Sequence, residues 1–370
     1  GNYGWAVVLF TVILKIITLP LDFWQRFSMK KNAKMMSELA PIMAKLDKAY
    51  ANDKNKLNQE KQKLYKKHGY NMLSGCLPMI VTMTIFFVMF GGLNQCSAYV
   101  NLKVYSELSV HYTDTLSAEL SKHTEEYESK RYDILLSGKS TAIEDYKTWL
   151  GGQGVAESAF DAEISAATSR ISQIKAEAQA EARKAVGEFY LEAKEGFLWI
   201  TNISRPDTWV ESFPETAEKF TGTLTKKYRA YKDEFDSELY GEIYKGISEQ
   251  GVGYKVGDKH WNGLMILPVL SIALSFLSTF ISNKTSKKKN GEEQQLDPNA
   301  AAAQSSNKVM MFVMPVIMGV FGFVYTATFA LYMVCSSLLS ILFTLAMNPI
   351  IDRRIAKIES KVEKPDYRRK

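Results

Sequence analysis

Cysteine and histidine are scarce in this 370-residue chain, and each scarcity excludes something. Cys76 and Cys96 stand at opposite ends of one apolar run and Cys335 lies within another, so no disulfide framework follows. His68, His111, His123 and His260 are scattered over polar, water-facing segments without zinc-ligand spacing. The chain has no nucleophile elbow, no glycine-rich phosphate cradle and no carboxylate pair inside an apolar run. Nothing calls for a metal or a cofactor, and the chain does not read as an enzyme. It opens on Gly1 and not Met, directly before an apolar run. Removal of a signal peptide, an anchor or an earlier span would leave such a start, and the sequence does not choose among them.

What the chain does have is apolar length. A formal charge of +6 and a mean hydropathy of −0.15 average over two kinds of sequence, long apolar runs and strongly charged stretches. The hydrocarbon layer of about 30 Å needs about 20 helical residues to cross it. Runs of that kind lie at 3–22, 76–94, 262–282, 309–326 and 328–350. The last two are nearly continuous, about twice what one crossing needs, so the chain folds back near "YTAT" (Tyr325 to Thr328). The fold class expected is an all-α integral membrane protein, a bundle of five transmembrane helices.

Charge orients the bundle, because lysine and arginine are retained on the cytoplasmic side. Residues 23–75, the loop 283–308 and the tail 351–370 are basic, and alternating spans put all three on one side. Residues 95–260 hold 20 basic and 28 acidic residues and fall outside with the N-terminus. The expected layout is therefore a first span (1–22), a cytoplasmic helical hairpin (23–75), a second span (76–94) and a helical extracytoplasmic insertion domain (95–260). A third span (261–282), the loop 283–308, the last two spans (309–350) and the tail 351–370 complete it. In the outer segment, "GGQG" (Gly151 to Gly154) separates an Ala/Glu/Lys-rich helical stretch from an earlier one starting near Thr113, which suggests a hairpin of coiled-coil type. A third helix is expected from about Pro214 to Gln250. The segment reads as a solvated spacer or as a binding domain.

Three spans carry polar stripes. On the first, Thr11, Lys15, Thr18 and Asp22 follow steps of four, three and four, which is one helix face. The third shows Ser271, Ser275, Ser278 and Ser282, and the fifth Thr328, Tyr332, Ser336, Ser340 and Thr344. Turned together the stripes would line a wet groove; turned singly they would serve ordinary helix packing, where Ser and Thr hydrogen-bond across helices. Lys15 favours the groove, since a charge at mid-membrane costs about 2.5–3.5 kcal/mol on insertion scales and faces an interior or a water-filled cavity. Snorkelling toward the cytoplasmic end, about 10 Å along the helix to Asp22, is the competing use. In the hairpin, Met35, Leu39, Ile42, Met43 and Leu46 mark an apolar face, and Met36 adds to an unusual number of methionines. Flexible thioethers suit varied apolar partners, although mutual packing of the two arms uses the same face. A polar-lined bundle also fits a small-solute transporter or channel, but no internal repeat of the kind transporters show is visible. A scaffold organised by the outer segment is a further reading.

The chain resembles the YidC family of membrane protein insertases. The resemblance is carried by "LPL" (Leu19 to Leu21) after a span with one basic residue, and by "ELAPIMAKLDKAYANDKNKLNQEKQKLYKKHGYNMLSGCLPMIVTMTIFF" (Glu38 to Phe87). "GFLWITNISRPDTW" (Gly196 to Trp209), "MMFVMP" (Met310 to Pro315) and "LYMVCSS" (Leu331 to Ser337) add to it. It implies a bacterial plasma-membrane protein with a hydrophilic groove open to the cytoplasm and to lipid. Lys15 stands where the family normally has arginine, which keeps the charge and loses the planar fork. Other departures are Thr82-Met83-Thr84, Thr326-Ala327-Thr328, Ser337 and the large outer insertions. The resemblance implies that Lys15 attracts acidic residues of nascent membrane proteins, with Thr11, Thr18, Ser271, Ser275, Tyr332 and Ser336 lining the groove. Met79, Met83, Phe86 and Phe87 would form an apolar exit surface into the lipid bilayer, or pack the bundle. Partnership with a secretion translocon is a further implication. The basic tail suits the ribosome, anionic lipid or an orientation signal.

Overall fold

The computed structural model describes residues 2–68, 73–123, 130–287, 316–317 and 319–359. The basic loop beyond residue 287, the start of the expected fourth span and the tail beyond 359 lie outside the described residues. So do the side chains of Met36, Met79, Thr82 and Ser282. The chain divides into two units. One comprises Gly1–Gln95, Phe197–Trp209 and Gly263–Lys370; the other comprises Cys96–Gly196 and Val210–Asn262.

The first unit is built on long helices. Helix α1 (Asn2–Ala49) runs 48 residues through Pro20 and Pro41, about 72 Å at 1.5 Å per residue. That is more than twice the hydrocarbon thickness, so the span and the first hairpin arm are one helix. Each proline removes one backbone donor, and neither ends the helix. The turn after α1 leads to α2 (Lys54–Lys67), whose N-cap Asp53 accepts from the Lys56 amide at 3.0 Å. Leu39, Met43 and Leu57 are buried in the hairpin, and the Tyr65 hydroxyl donates to the Met43 sulfur at 3.5 Å. The buried ammonium of Lys61 sits 2.6 Å from Asp47 across the two arms.

Helix α3 (Leu73–Ser121) contributes its first part to this unit and the rest to the other. Helix α9 (Ile266–Lys287) and helix α10 (Ala327–Glu359) complete the described long elements. Residues 316–317 and 319–324 are also helical, and the chain reverses at Tyr325 and Thr326. Both α1 and α9 pack along α10. Ala327, Phe329, Ala330 and Leu331 are its most deeply buried stretch, and Phe329 lies among the rings of Phe86, Phe90 and Tyr325. A Cβ on Gly319 would collide with Ile272 of α9, so this close approach requires glycine. Three described helices are long and apolar enough to cross a membrane, over Asn2–Asn32, Met83–Ser121 and Ala327–Ile358. A shorter apolar helix covers Ile266–Ile281. The protein is mostly helical and membrane-embedded in type.

The second unit holds α4 (Lys130–Leu136), α5 (Ala142–Gly152), α6 (Phe160–Ala193), α7 (Ala217–Thr223) and α8 (Ser237–Gln250). The stretch before "GGQG" is therefore three pieces, the end of α3, α4 and α5. Gly138, at φ +68°, lies in the break between α4 and α5. The helix expected over Pro214–Gln250 is two, and residues 224–236 between them are not α-helical. A two-stranded antiparallel hairpin, β1 (Tyr254–Val256) with β2 (Lys259–Trp261), departs from an all-α chain. Its turn places Gly257 at φ +63°, a conformation that glycine adopts freely. The core is aromatic: Tyr105, Phe213, Phe220 and Tyr240 pack with ring centroids 5.0–6.3 Å apart. Tyr244 donates to Glu211 at 3.0 Å, and burial together with that acceptor pushes its phenol up to about 12. A separate small core gathers Tyr132, Tyr146, Leu150, Ala167 and Ile171.

Candidate functional site

The polar stripe of α1 faces the seam with α10. Lys15 Nζ lies 3.4 Å from Asp22 Oδ2, with side-chain exposures of 17% and 15%. At 3.4 Å the gross attraction is on the order of 5 kcal/mol for an effective dielectric of about 20. Desolvating both charges offsets most of it. Asp22 also acts electrostatically on Arg26, one turn further along α1, and on the Tyr332 hydroxyl of α10. Tyr332 is hydrogen-bonded to Ser336 on its own helix. Two turns below, Lys30 reaches Asp352 of α10 at 3.1 Å, and the Arg354 guanidinium lies over the Phe23 ring. The seam is thus laced by charges from Lys15 down to Asp352.

The hydroxyls sort by depth. Thr11, Ser271 and Thr344 are buried and return their protons to their own helices, at Val7, Pro268 and Ser340. Each of the three closes on the i−3 or i−4 carbonyl, so its proton is satisfied within its own helix. Thr18 is half-buried and bonds back to the Lys15 carbonyl at 3.3 Å. Ser275 meets Ser337 at 3.4 Å and joins α9 to α10. Around α10, then, Tyr332, bonded to Ser336, lies in the field of Asp22 on α1, while Ser337 meets α9. The spacing of the stripes points to neither Ser337 nor Arg26, and it marks Asp22 only as a member of the α1 stripe.

One end of this seam is shut by the segment Phe197–Trp209. Its carbonyls at Ile203 and Arg205 accept from Thr328 and Ala327, the first turn of α10, and Thr328 Oγ1 also donates to Ile203. The fully buried Asp207 accepts from Trp199 Nε1 at 3.2 Å, the Met265 amide at 3.1 Å and the Leu267 amide at 2.8 Å. It thereby caps the start of α9, where free amides and the helix dipole favour an anion. Met265 pays for the tight entry with φ +62°, a strained value for a residue with a Cβ.

Of the expected apolar surface, Met83 and Phe87 are exposed, whereas Phe86 packs against Phe90 and Phe329. In the hairpin Met35 is half-buried and Met43 is buried between the arms.

A family model described as 60Kd inner membrane protein matches residues 1–136 and 184–354. Among similar proteins is the membrane protein insertase YidC of Helicobacter pylori, 43% identical over 90 residues, which are 24% of this chain and 16% of that protein. That of Fusobacterium nucleatum is 43% identical over 95 residues, 26% of this chain and 44% of the relative. That of Leptospira interrogans is 33% identical over 117 residues, 30% of this chain and 18% of the relative. The matched stretch spans less than half of each relative's length. No solved structure matches the chain.

Proposed function

Because the chain belongs to the 60Kd inner membrane protein family, that of the YidC insertases, we propose that it inserts nascent membrane proteins through a polar cleft between α1, α9 and α10. The single observation that carries this reading is the half-buried Lys15–Asp22 pair facing Tyr332 and Ser336, beneath an end closed by Phe197–Trp209. An incoming protein must bring a polar outer segment through an apolar layer. Water and hydroxyls part-way into the bilayer shorten that apolar path. Lys15 supplies a positive charge in surroundings of low dielectric, where its attraction for an acidic residue exceeds that in water. The substrate's apolar helix meanwhile slides along exposed Met83 and Phe87 into lipid. Thr18, Ser275 and Ser336 line the cleft, with the buried Thr11 and Ser271 closing its wall. The hairpin of α1 and α2, through Met35 and Met36, receives the emerging segment. The ribosome, met by the basic tail, and a secretion translocon are the partners this role entails.

The test separates charge from shape. In cells depleted of their own insertase, Lys15→Arg supports insertion of a single-span substrate with an acidic outer tail, and Lys15→Leu lowers it about tenfold or more, the scale of one lost charge contact. Full insertion by Lys15→Leu would show that the ammonium merely snorkels, and the attractor role would be lost.

A further inference from the structure

The Lys15 ammonium is not presented bare. Its partner Asp22 lies two turns along the same helix, which is not the local three- or four-residue spacing of ordinary surface pairs. Both side chains sit in the seam with α10, and each would be costly there without the other. Asp22 has a second cation within its field, Arg26, one turn on in the opposite direction. Building on the insertase reading, we infer that Asp22 is a resident counter-ion that occupies Lys15 between substrates and moves to Arg26 when a substrate carboxylate takes its place. With a substrate carboxylate on Lys15 and Asp22 on Arg26, each of the four charges faces an opposite one, which offsets the cost of holding them in the low-dielectric seam. An acidic side chain of the incoming segment displaces Asp22 from Lys15, and Asp22 closes on Arg26. A neutral segment has nothing to offer Lys15 and leaves the internal pair intact. Asp22 is thus a specificity-determining residue: it sets how strongly an acidic segment must bind before the cleft accepts it.

The experiment reads a ratio. The full chain is reconstituted in phosphatidylcholine vesicles. It is titrated with a fluorescent peptide, one apolar helix preceded by a tail bearing two aspartates, and with the same peptide bearing two asparagines. The affinity ratio of acidic to neutral peptide rises about fivefold or more in Asp22→Asn, the scale of a modest coupling between sites. In Asp22→Glu it stays near that of the unaltered chain. In Arg26→Gln it falls, because Asp22 then has no second partner and holds Lys15 more firmly. A ratio in Asp22→Asn no higher than in the unaltered chain, with the thermal transition preserved, overturns the counter-ion role. If Asp22→Asn does not fold, Arg26→Gln decides: an unchanged ratio there overturns the exchange. Failure of the underlying reading looks different. Lys15→Leu would then keep the ratio of the unaltered chain, and the attractor and its counter-ion would fall together. Loss of the ratio in Lys15→Leu with no change in either Asp22→Asn or Arg26→Gln would leave the insertase reading standing alone.

Discussion

Asp207 and Asp236 are both aspartates that hold a helix start, and their surroundings make them unequal. Asp236 caps α8 in solvent, accepting from Glu238 and Leu239 at 2.9 and 3.0 Å. Its replacement by alanine costs about 1 kcal/mol, since water takes over the freed amides. Asp207 is fully buried, so Asp207→Ala strands one indole and two backbone donors without water. At about 1–3 kcal/mol per stranded group the loss is about 3 kcal/mol or more, read as thermal unfolding of the full chain in detergent. Asp207→Asn, with one acceptor oxygen left, falls between. Equal losses for Asp207→Ala and Asp236→Ala would mean that solvent reaches the loop. The sequence foretells such roles unevenly. Lys15 stands out because a charge in an apolar run is conspicuous. Asp22 shares its stripe, but spacing alone does not say which charge it meets. Asp207 lies in a loop without periodicity, and nothing in "RPDTW" marks the aspartate as buried.

At the scale of elements, apolar length was legible and helix ends were not. A change from apolar to charged residues marks where a chain leaves lipid, and α1 and α3 simply continue through it, α1 past Pro20 and α3 past Gly91 and Gly92. Gly138 and Gly257, both at positive φ, are turn residues that mark the break after α4 and the β-hairpin. Glycine also governs how α6 and α8 meet. A Cβ on Gly246 would collide with the Arg183 carbonyl, and one on Gly187 with the Gly246 carbonyl, so the two backbones touch there. Arg183 reinforces the crossing through Glu242 at 3.0 Å. Gly246→Ala therefore forces the helices apart and costs about 2–3 kcal/mol by overpacking. Gly241, in the same helix with nothing within 4 Å of its would-be Cβ, gains about 0.5–1 kcal/mol on replacement by alanine. Hydrogen exchange of the α6 and α8 amides distinguishes them: faster in Gly246→Ala, equal or slower in Gly241→Ala. Faster exchange in both would remove the close crossing as the explanation.

Over the whole molecule, charge and apolarity act on different links of the chain from sequence to function. Apolar length decides which helices enter lipid, and basic residues decide which way they face. The second unit falls almost wholly in the acidic stretch 95–260, while α2 bears six lysines in 14 residues, so the charge rule predicts opposite sides of the membrane for residues 177 and 63. The part of α6 that the family model leaves out, up to residue 183, belongs to this acidic stretch, and its Ala167 and Ile171 share a small core with α4 and α5. Single cysteines at Glu177 in α6 and Lys63 in α2, placed in a variant lacking the three native ones, read the orientation directly. In intact cells stripped of their outer barrier, a membrane-impermeant maleimide labels position 177 at once and position 63 only after lysis. The reverse order would turn the bundle over and put the hairpin of α1 and α2 outside. Equal labelling of both before lysis would place them on one side and overturn the single crossing expected of α3.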